Sequence, residues 1–223
     1  MPAGGVTSIA TDACDSNVVY VLMEYTFKDR GHLFRSNDGG ANWSQIYPLG
    51  NINWVATSPR QCSTVIFNRS DSRGHYQYIS RDAGSNWTSS DPTSWIPVSF
   101  AGQSDRAYGE DWLSILLSEN GGESWDRLAK PGEPGWRIEA LAVAPRTPDH
   151  LYAAAGDGNR HRFYRSTNGG AGWTDLGPAP NSVSKLVIDP NNDSVVYALV
   201  KFYESRDPVL KSTDGGAIWQ PLP

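Results

Sequence analysis

The pattern S-x-[DN]-x-G-x-x-W occurs five times in 223 residues, and it constrains the fold more than any other feature of the chain. The copies are SNDGGANW (36–43), SRDAGSNW (80–87), SENGGESW (118–125), STNGGAGW (166–173) and STDGGAIW (212–219). Their serines lie 38 to 48 residues apart, so the repeat runs through nearly the whole sequence. A regular period of this size marks a repeat architecture, in which each unit leaves an apolar face for its neighbour to cover.

Every copy has the same surroundings. A short apolar run precedes it: HLFR, YQYI, SILL, RFYR or PVLK. A second run lies upstream (NVVYVLM, STVIF, RAYG, HLYAAA, SVVYALV), and a third before that (VTSIAT, INWVAT, IPVSFAG, RIEALAVAP, VSKLVIDP). A brief segment after the tryptophan, such as WSQIY or WTDL, completes the unit. These runs are β-branched and aromatic and are bounded by Gly, Pro, Asn and Asp, so they read as four strands, A to D. No helical period competes with them. The sequence therefore predicts an all-β chain, a five-bladed β-propeller of four-stranded antiparallel blades, with the repeated motif in each C–D turn. One domain covers 1–223, with blades at about 6–47, 52–90, 96–128, 136–177 and 183–222. The first and last blades meet without an interleaved strand. Side-chain packing, a longer parent chain or self-association would each complete the ring.

The residue types explain the motif. Glycine at its fifth position (Gly40, Gly84, Gly122, Gly170, Gly216) supplies a backbone angle that side chains resist. The third residue accepts hydrogen bonds from N–H groups just beyond it, and the serine does so more weakly. The tryptophan opens strand D and lies between neighbouring sheets, removing about 150–250 Å² from water. A catalytic or calcium-binding role is the rival. The third position is Asp38, Asp82 and Asp214 in three copies but Asn120 and Asn168 in two. An amide accepts a hydrogen bond but supplies no charge and no general acid, so the shared role is structural.

These five boxes resemble the Asp-box, or bacterial neuraminidase repeat, of the β-propeller families that include sialidases, xyloglucan-hydrolysing glycosidases, the sortilin receptor domain and a photosystem II assembly factor. The fragments VAPRTPDHLYAAA and IDPNNDSVVYALV are most similar to the glycosidase and sortilin branch. The resemblance implies the fold and an Asp-box in each C–D turn, with the boxes away from the active site. It leaves function open, because those families bind, hydrolyse or assemble.

In such a propeller the B–C turns and D–A links share the face opposite the boxes, and that face collects most of the ionisable residues. Arg30, Arg160 and Arg206 each fall six residues before a box serine, and His75 and His161 fall five before. Trp95, Trp112, Trp136 and Tyr203 belong to the same face. Exposed aromatics beside arginines and carboxylates suit sugar rings. These nine residues are the candidate ligand site, and a ring of arginines there would favour an acidic sugar or a carboxylate-bearing peptide. The expected function is non-catalytic recognition of a carbohydrate or protein. A glycoside hydrolase, sialidase- or xyloglucanase-like, is the alternative, and an assembly or scaffold factor the second. Hydrolysis would draw its two carboxyls from Glu110, Asp111, Asp157, Glu204 and Asp207.

Composition narrows the classes. A net charge of −5 with no basic run argues against nucleic acid. No apolar run is long enough to span a membrane. No metal-ligand spacing or nucleophile motif occurs, and no cofactor is implied. Cys14 and Cys62 fall in A–B turns of the first two blades, which a propeller sets side by side. An offset of about two residues leaves their bridging open. The resembling proteins point to a secreted or periplasmic setting, which favours the bridge.

Overall fold

A computed structural model describes residues 4–24, 31–48, 50–72, 74–89, 99–102, 104–111, 113–201 and 208–222. Among them the chain forms five antiparallel four-stranded sheets and no helix. Among the described residues, no helix is therefore long and apolar enough to cross a membrane. The first sheet holds β1 (Gly5–Thr11), β2 (Val19–Glu24), β3 (His32–Ser36) and β4 (Ser44–Tyr47). The second holds β5 (Ile52–Thr57), β6 (Val65–Asp71), β7 (Gly74–Ser80) and β8 (Thr88–Ser89). The third holds β9 (Ser99–Phe100), β10 (Ala107–Glu110), β11 (Ile115–Ser118) and β12 (Asp126–Leu128). The fourth holds β13 (Arg137–Val143), β14 (Leu151–Gly156), β15 (His161–Ser166) and β16 (Thr174–Ala179). The fifth holds β17 (Val183–Asp189), β18 (Asn192–Val200), β19 (Val209–Ser212) and β20 (Gln220–Pro221). Each sheet is a meander in chain order, as the four-run pattern predicts.

Packing divides the chain into two compact units, Met1–Val98 with Ser118–Ser124, and Ser99–Leu117 with Trp125–Pro223. In the first unit β1 packs beside β5; in the second, β13 packs beside β17 and β10. The first unit has an aromatic core. Phe67 lies 4.7 Å from Tyr47, 5.0 Å from Tyr78 and 4.7 Å from Trp87, centroid to centroid. The second unit is packed with small residues, among them the fully buried Ala144, Ala153, Ala154, Ala155 and Ala198.

The motif makes one turn five times. Its serine is 1% exposed in every copy. The serine Oγ accepts the N–H of the box glycine at 2.8–2.9 Å and donates to Oδ1 of the third residue at 2.7–2.9 Å. That Oδ1 then accepts the N–H four residues on: Asn42, Asn86, Ser124, Gly172 and Ile218, at 2.8–3.0 Å. Asn120 and Asn168 do this at 3.0 and 2.9 Å, so amide and carboxylate are equivalent here. The glycine has φ between 87° and 97° in every copy. The fourth position is also left-handed, a need that the sequence reading did not assign. It is glycine in four copies and Ala83, at φ 59°, in the other.

The turn also locks sheet to sheet. A Cβ on Gly84, Gly170 or Gly216 would lie 2.5, 2.9 or 2.6 Å from Ile46, Leu128 or Leu176 of the preceding sheet's last strand. Trp87 and Trp219 fill the same seams. Trp87 meets Tyr47 at 5.7 Å, and Trp219 stacks on Phe163 at 4.2 Å. On the box side of the first unit, Cys14 and Cys62 form a disulfide with Cα atoms 5.4 Å apart. The buried Asp12 carboxylate accepts both Cys14 N–H (2.9 Å) and Ser63 N–H (2.7 Å), which draws the two turns together across their offset.

The first strands share a second device. β1, β5, β13 and β17 each carry a bulge after their first or second paired residue, which leaves Thr7, Asn53, Glu139 and Ser184 outside the ladder. A bulge re-aims the side chain it sets free.

Candidate ligand-binding cleft

In the fourth sheet the bulge residue is Glu139. Its Oε1 lies 2.7 Å from His161 Nδ1, and its Oε2 accepts the Val183 N–H at 3.1 Å. Both side chains are almost buried, at 8% exposure for His161 and 13% for Glu139. The pair fits because residue 156, opposite His161 in the ladder, is glycine. A Cβ there would stand 2.6 Å from His161 Nδ1 and 3.1 Å from Glu139 Oε1.

His161 lines a cleft of about 690 Å³ with Trp136, Arg160, Arg162, Tyr164 and Asp175. Glu139 lines a neighbouring cleft of about 670 Å³ with Arg137, Asp157, Ser182 and Lys201. The pair is thus a wall shared by two depressions. Arg160 gives Nε and Nη2 to Asp157 Oδ2 at 3.0 and 2.8 Å, and Nη2 also reaches Glu133 Oε2 at 3.1 Å. Its Cζ lies 5.1 Å from the Trp136 ring centroid, in cation–π range. Arg162 Nε meets Asp175 Oδ2 at 2.6 Å. Lys130 donates to the Trp136 carbonyl, and burial lowers the pKa of its ammonium. The N–H groups of Arg160 and Asn159, with the Arg160 guanidinium, hold the Asp157 carboxyl down at about 2. Asp157 and Glu133 in turn raise the pKa of Arg160.

Of the nine residues that the sequence singled out, this cleft gathers Trp136, Arg160 and His161. Two expectations are corrected. Trp136 is 3% exposed, so it is a core residue capped by Arg160 and Gly132, not an open stacking platform. Arg160 is neutralised by two carboxylates, so it offers no free positive charge. His75 lies in the first unit, on β7, with Nδ1 2.6 Å from Ser70 Oγ. Arg30, Trp95, Trp112, Tyr203 and Arg206 lie outside the described residues, as do Glu204 and Asp207. Asp111, a candidate catalytic carboxylate, is paired with Arg127 at 3.1 Å.

The sequence reading missed Glu139, Glu133, Arg162 and Asp175. It sought function in the turns, and three of these four lie on strands β13, β15 and β16. Glu139 did carry a signal. It is the acid in RIEALAV, where Ile138, Ala140 and Ala142 alternate into the core. Among the described residues, no group of three or more His, Cys, Asp or Glu could hold a metal ion.

No protein-family model matches the chain. A xyloglucanase from a Paenibacillus species is 30% identical over 198 residues, 82% of this chain and 18% of that protein. A xyloglucanase from Hypocrea jecorina (strain QM6a) is 26% identical over 240 residues, 100% of this chain and 26% of that protein. The chain therefore spans a minor part of the curated relatives it matches. Among solved structures, the GH74 xyloglucanase of Xanthomonas campestris superposes with a TM-score of 0.74 at 21% identity, over 98% of this chain and 38% of that one. YCF48 bound to a D1 peptide superposes with a TM-score of 0.67 at 16% identity, over 98% of this chain and 67% of that one. The five antiparallel four-stranded sheets thus match those of β-propeller proteins, and the chain is related to glycoside hydrolases of the xyloglucanase kind.

Proposed function

We propose that this chain is a glycan-recognition segment of a xyloglucanase-related propeller, and that the Trp136–Arg160 cleft takes an uncharged, hydroxyl-rich ligand. The observation that carries this reading is the pairing inside the cleft. Arg160 is matched by Asp157 and Glu133, and Arg162 by Asp175. Such arrays fix donors and acceptors in space and leave no surplus positive charge for an anion, which suits sugar hydroxyls. At Arg160 we therefore read a neutral ligand in place of the expected acidic one. We read the five turns as Asp-boxes and residues 1–223 as one five-bladed domain. The Cys14–Cys62 bridge fits an oxidising compartment, hence a secreted or periplasmic protein.

Hydrolysis is the second reading, favoured by the names of the relatives. A glycosidase needs one carboxyl kept protonated as general acid beside a second carboxyl. Asp157, held at about 2, is ionised at neutral pH and does not serve as that acid. The paired groups of the cleft are what favour recognition as the first reading.

Calorimetric titration with a neutral xyloglucan oligosaccharide tests the proposal. The wild type should bind, and Arg160→Ala should weaken binding about tenfold or more, the scale of one charge-assisted hydrogen bond. An acidic oligosaccharide binding more tightly than the neutral one would overturn the neutral-ligand reading. Binding of peptides but of no glycan would replace it with a protein partner. Release of reducing sugar would establish hydrolysis.

A further inference from the structure

The recognition reading leaves one cleft group without a task. His161 lines the cleft, and its Nε2 has no hydrogen-bond partner among the described residues. Its Nδ1 is engaged by Glu139, and a carboxylate accepts a hydrogen bond but has no proton to give. When the ring is neutral, the hydrogen must therefore sit on Nδ1, and Nε2 must carry the lone pair. Glu139 is itself held from behind by the Val183 N–H, so the pair cannot swing apart without stranding a buried group. Gly156 completes the arrangement by leaving no Cβ between the partners.

We propose that Glu139 is a positioning residue that locks His161 in the Nδ1–H tautomer, making Nε2 the acceptor for a ligand hydroxyl in the cleft. This rests on the glycan-recognition reading above. The specificity that follows is polar and directional. The site accepts a group that can donate to Nε2, such as a hydroxyl, and disfavours an ether or a carbonyl at that place. A second proton on the ring would turn Nε2 from acceptor to donor, which a hydroxyl can still meet through its oxygen and which an ether or a carbonyl can then meet as well, so protonation relaxes this selectivity. The charged groups that line the cleft with the ring are Arg162 on its own strand, Asp175 on β16, Arg160 in the turn before β15 and Glu133 in the link before β13, and Glu139 on β13 stands at Nδ1. Within that set Glu139 is the group in contact with Nδ1.

Two measurements on the intact chain test this. The first is the ¹⁵N spectrum of the imidazoles at neutral pH, which reads the tautomer without any ligand. The Nδ1–H form is expected for His161, and Glu139→Gln should shift it toward the Nε2–H form, because an amide can donate to Nδ1. The second is the affinity at neutral pH for a xyloglucan oligosaccharide and for its O-methylated derivative, whose ethers have no hydrogen to donate. The wild type should prefer the free hydroxyls about tenfold. Glu139→Gln, which moves the hydrogen to Nε2, should lose much of that preference, which a merely steric effect of the methyl groups would preserve. His161→Gln, whose amide both donates and accepts, should discriminate less than the wild type. A wild-type Nε2–H tautomer would overturn the proposal while leaving glycan recognition intact. So would equal wild-type affinity for the two ligands. An Nδ1–H tautomer without glycan binding at any pH would overturn the recognition reading, and with it the assigned ligand.

Discussion

His75 and His161 stand at the same place in their sheets, yet they are built into opposite situations. Each is paired across the ladder with the end of the second strand, and each faces a bulge residue of the first. In the first unit that residue is Asn53. It reaches Ser70 Oγ at 2.8 Å, and Ser70 Oγ meets His75 Nδ1 at 2.6 Å. In the second unit, Gly156 takes the place of Ser70 and Glu139 that of Asn53. Glutamate is longer by one methylene, and glycine leaves the gap it crosses. A hydroxyl can give or take a proton, so Ser70 does not dictate the His75 tautomer. A carboxylate only accepts, so Glu139 does. The surroundings differ in the same sense. Tyr47, Phe67, Tyr78 and Trp87 crowd the core of the first unit, whereas around β13 and β14 alanines share the core with Tyr152, Phe163 and Tyr164. One repeat thus gives a stapled, aromatic region and a small-residue region that tolerates buried charge.

The comparison breaks most visibly at the disulfide, which belongs to the first unit alone. Replacing Cys14 and Cys62 by serine opens a bridge that spans 48 residues of sequence. The expected loss is about 4 kcal/mol. Hydrogen exchange should show it in β1 to β8. Equal loss of protection in β13 to β20 would mean that the units unfold together and that the contrast has no energetic content.

Gly156→Ser comes next. The new Cβ meets the Arg160 carbonyl at 2.5 Å as well as the His161 ring, so overpacking should cost about 1–3 kcal/mol. Adding Glu139→Asn transplants the Asn53–Ser70–His75 design and should recover part of that loss in chemical denaturation. A double mutant weaker than the sum of its parts would show that the two arrangements are not interchangeable. In the other direction, Ser70→Ala removes the bridge between Asn53 and His75 and should cost roughly 1 kcal/mol. A neutral outcome there would mean that the chain of bonds is incidental.

The smallest effect concerns the boxes. Hydrogen bonds from the backbone and side chain of Asn42 lower the Asp38 carboxyl to about 2, and those of Asn86 do the same for Asp82. The Ile218 N–H lowers Asp214 in the same sense. An unfolded aspartate titrates near about 3.9. Their contribution is therefore complete above that pH and is lost as pH falls toward about 2. Converting all three to asparagine should flatten melting temperature against pH in that window and change little at pH 7. Asn120 and Asn168 already hold their turns without charge. A large loss at pH 7 would show that the carboxylate charge matters.

The repeat made the sheets legible, because each box serine, glycine and tryptophan is required by the same turn and so recurs in the sequence. The cleft was half legible. Arg160 and His161 stood out by register, but their meaning depends on partners that register does not reveal. Asp157 and Glu133 cancel the charge that made Arg160 attractive. Glu139 acts because a bulge removes it from the strict alternation of β13, and a one-residue slip of register leaves little mark in composition. Trp136 failed for a related reason. A tryptophan in a Gly- and Pro-rich link reads as exposed, but Gly132 lets the link fold over the ring.

The seam between sheets bears on how such a gene is recombined. Leu176 belongs to one sheet and the Gly216 that receives it to the next, as do Ile46 and Gly84, and Leu128 and Gly170. A cassette cut at the edges of a sheet always carries a knob without its socket. A crossover placed inside the box, between glycine and tryptophan, carries Leu176 and Gly216 together and regenerates a whole box at the joint. The heritable module of this chain is offset from its visible sheet, and shuffled repeats joined at that offset should assemble where sheet-by-sheet exchanges do not.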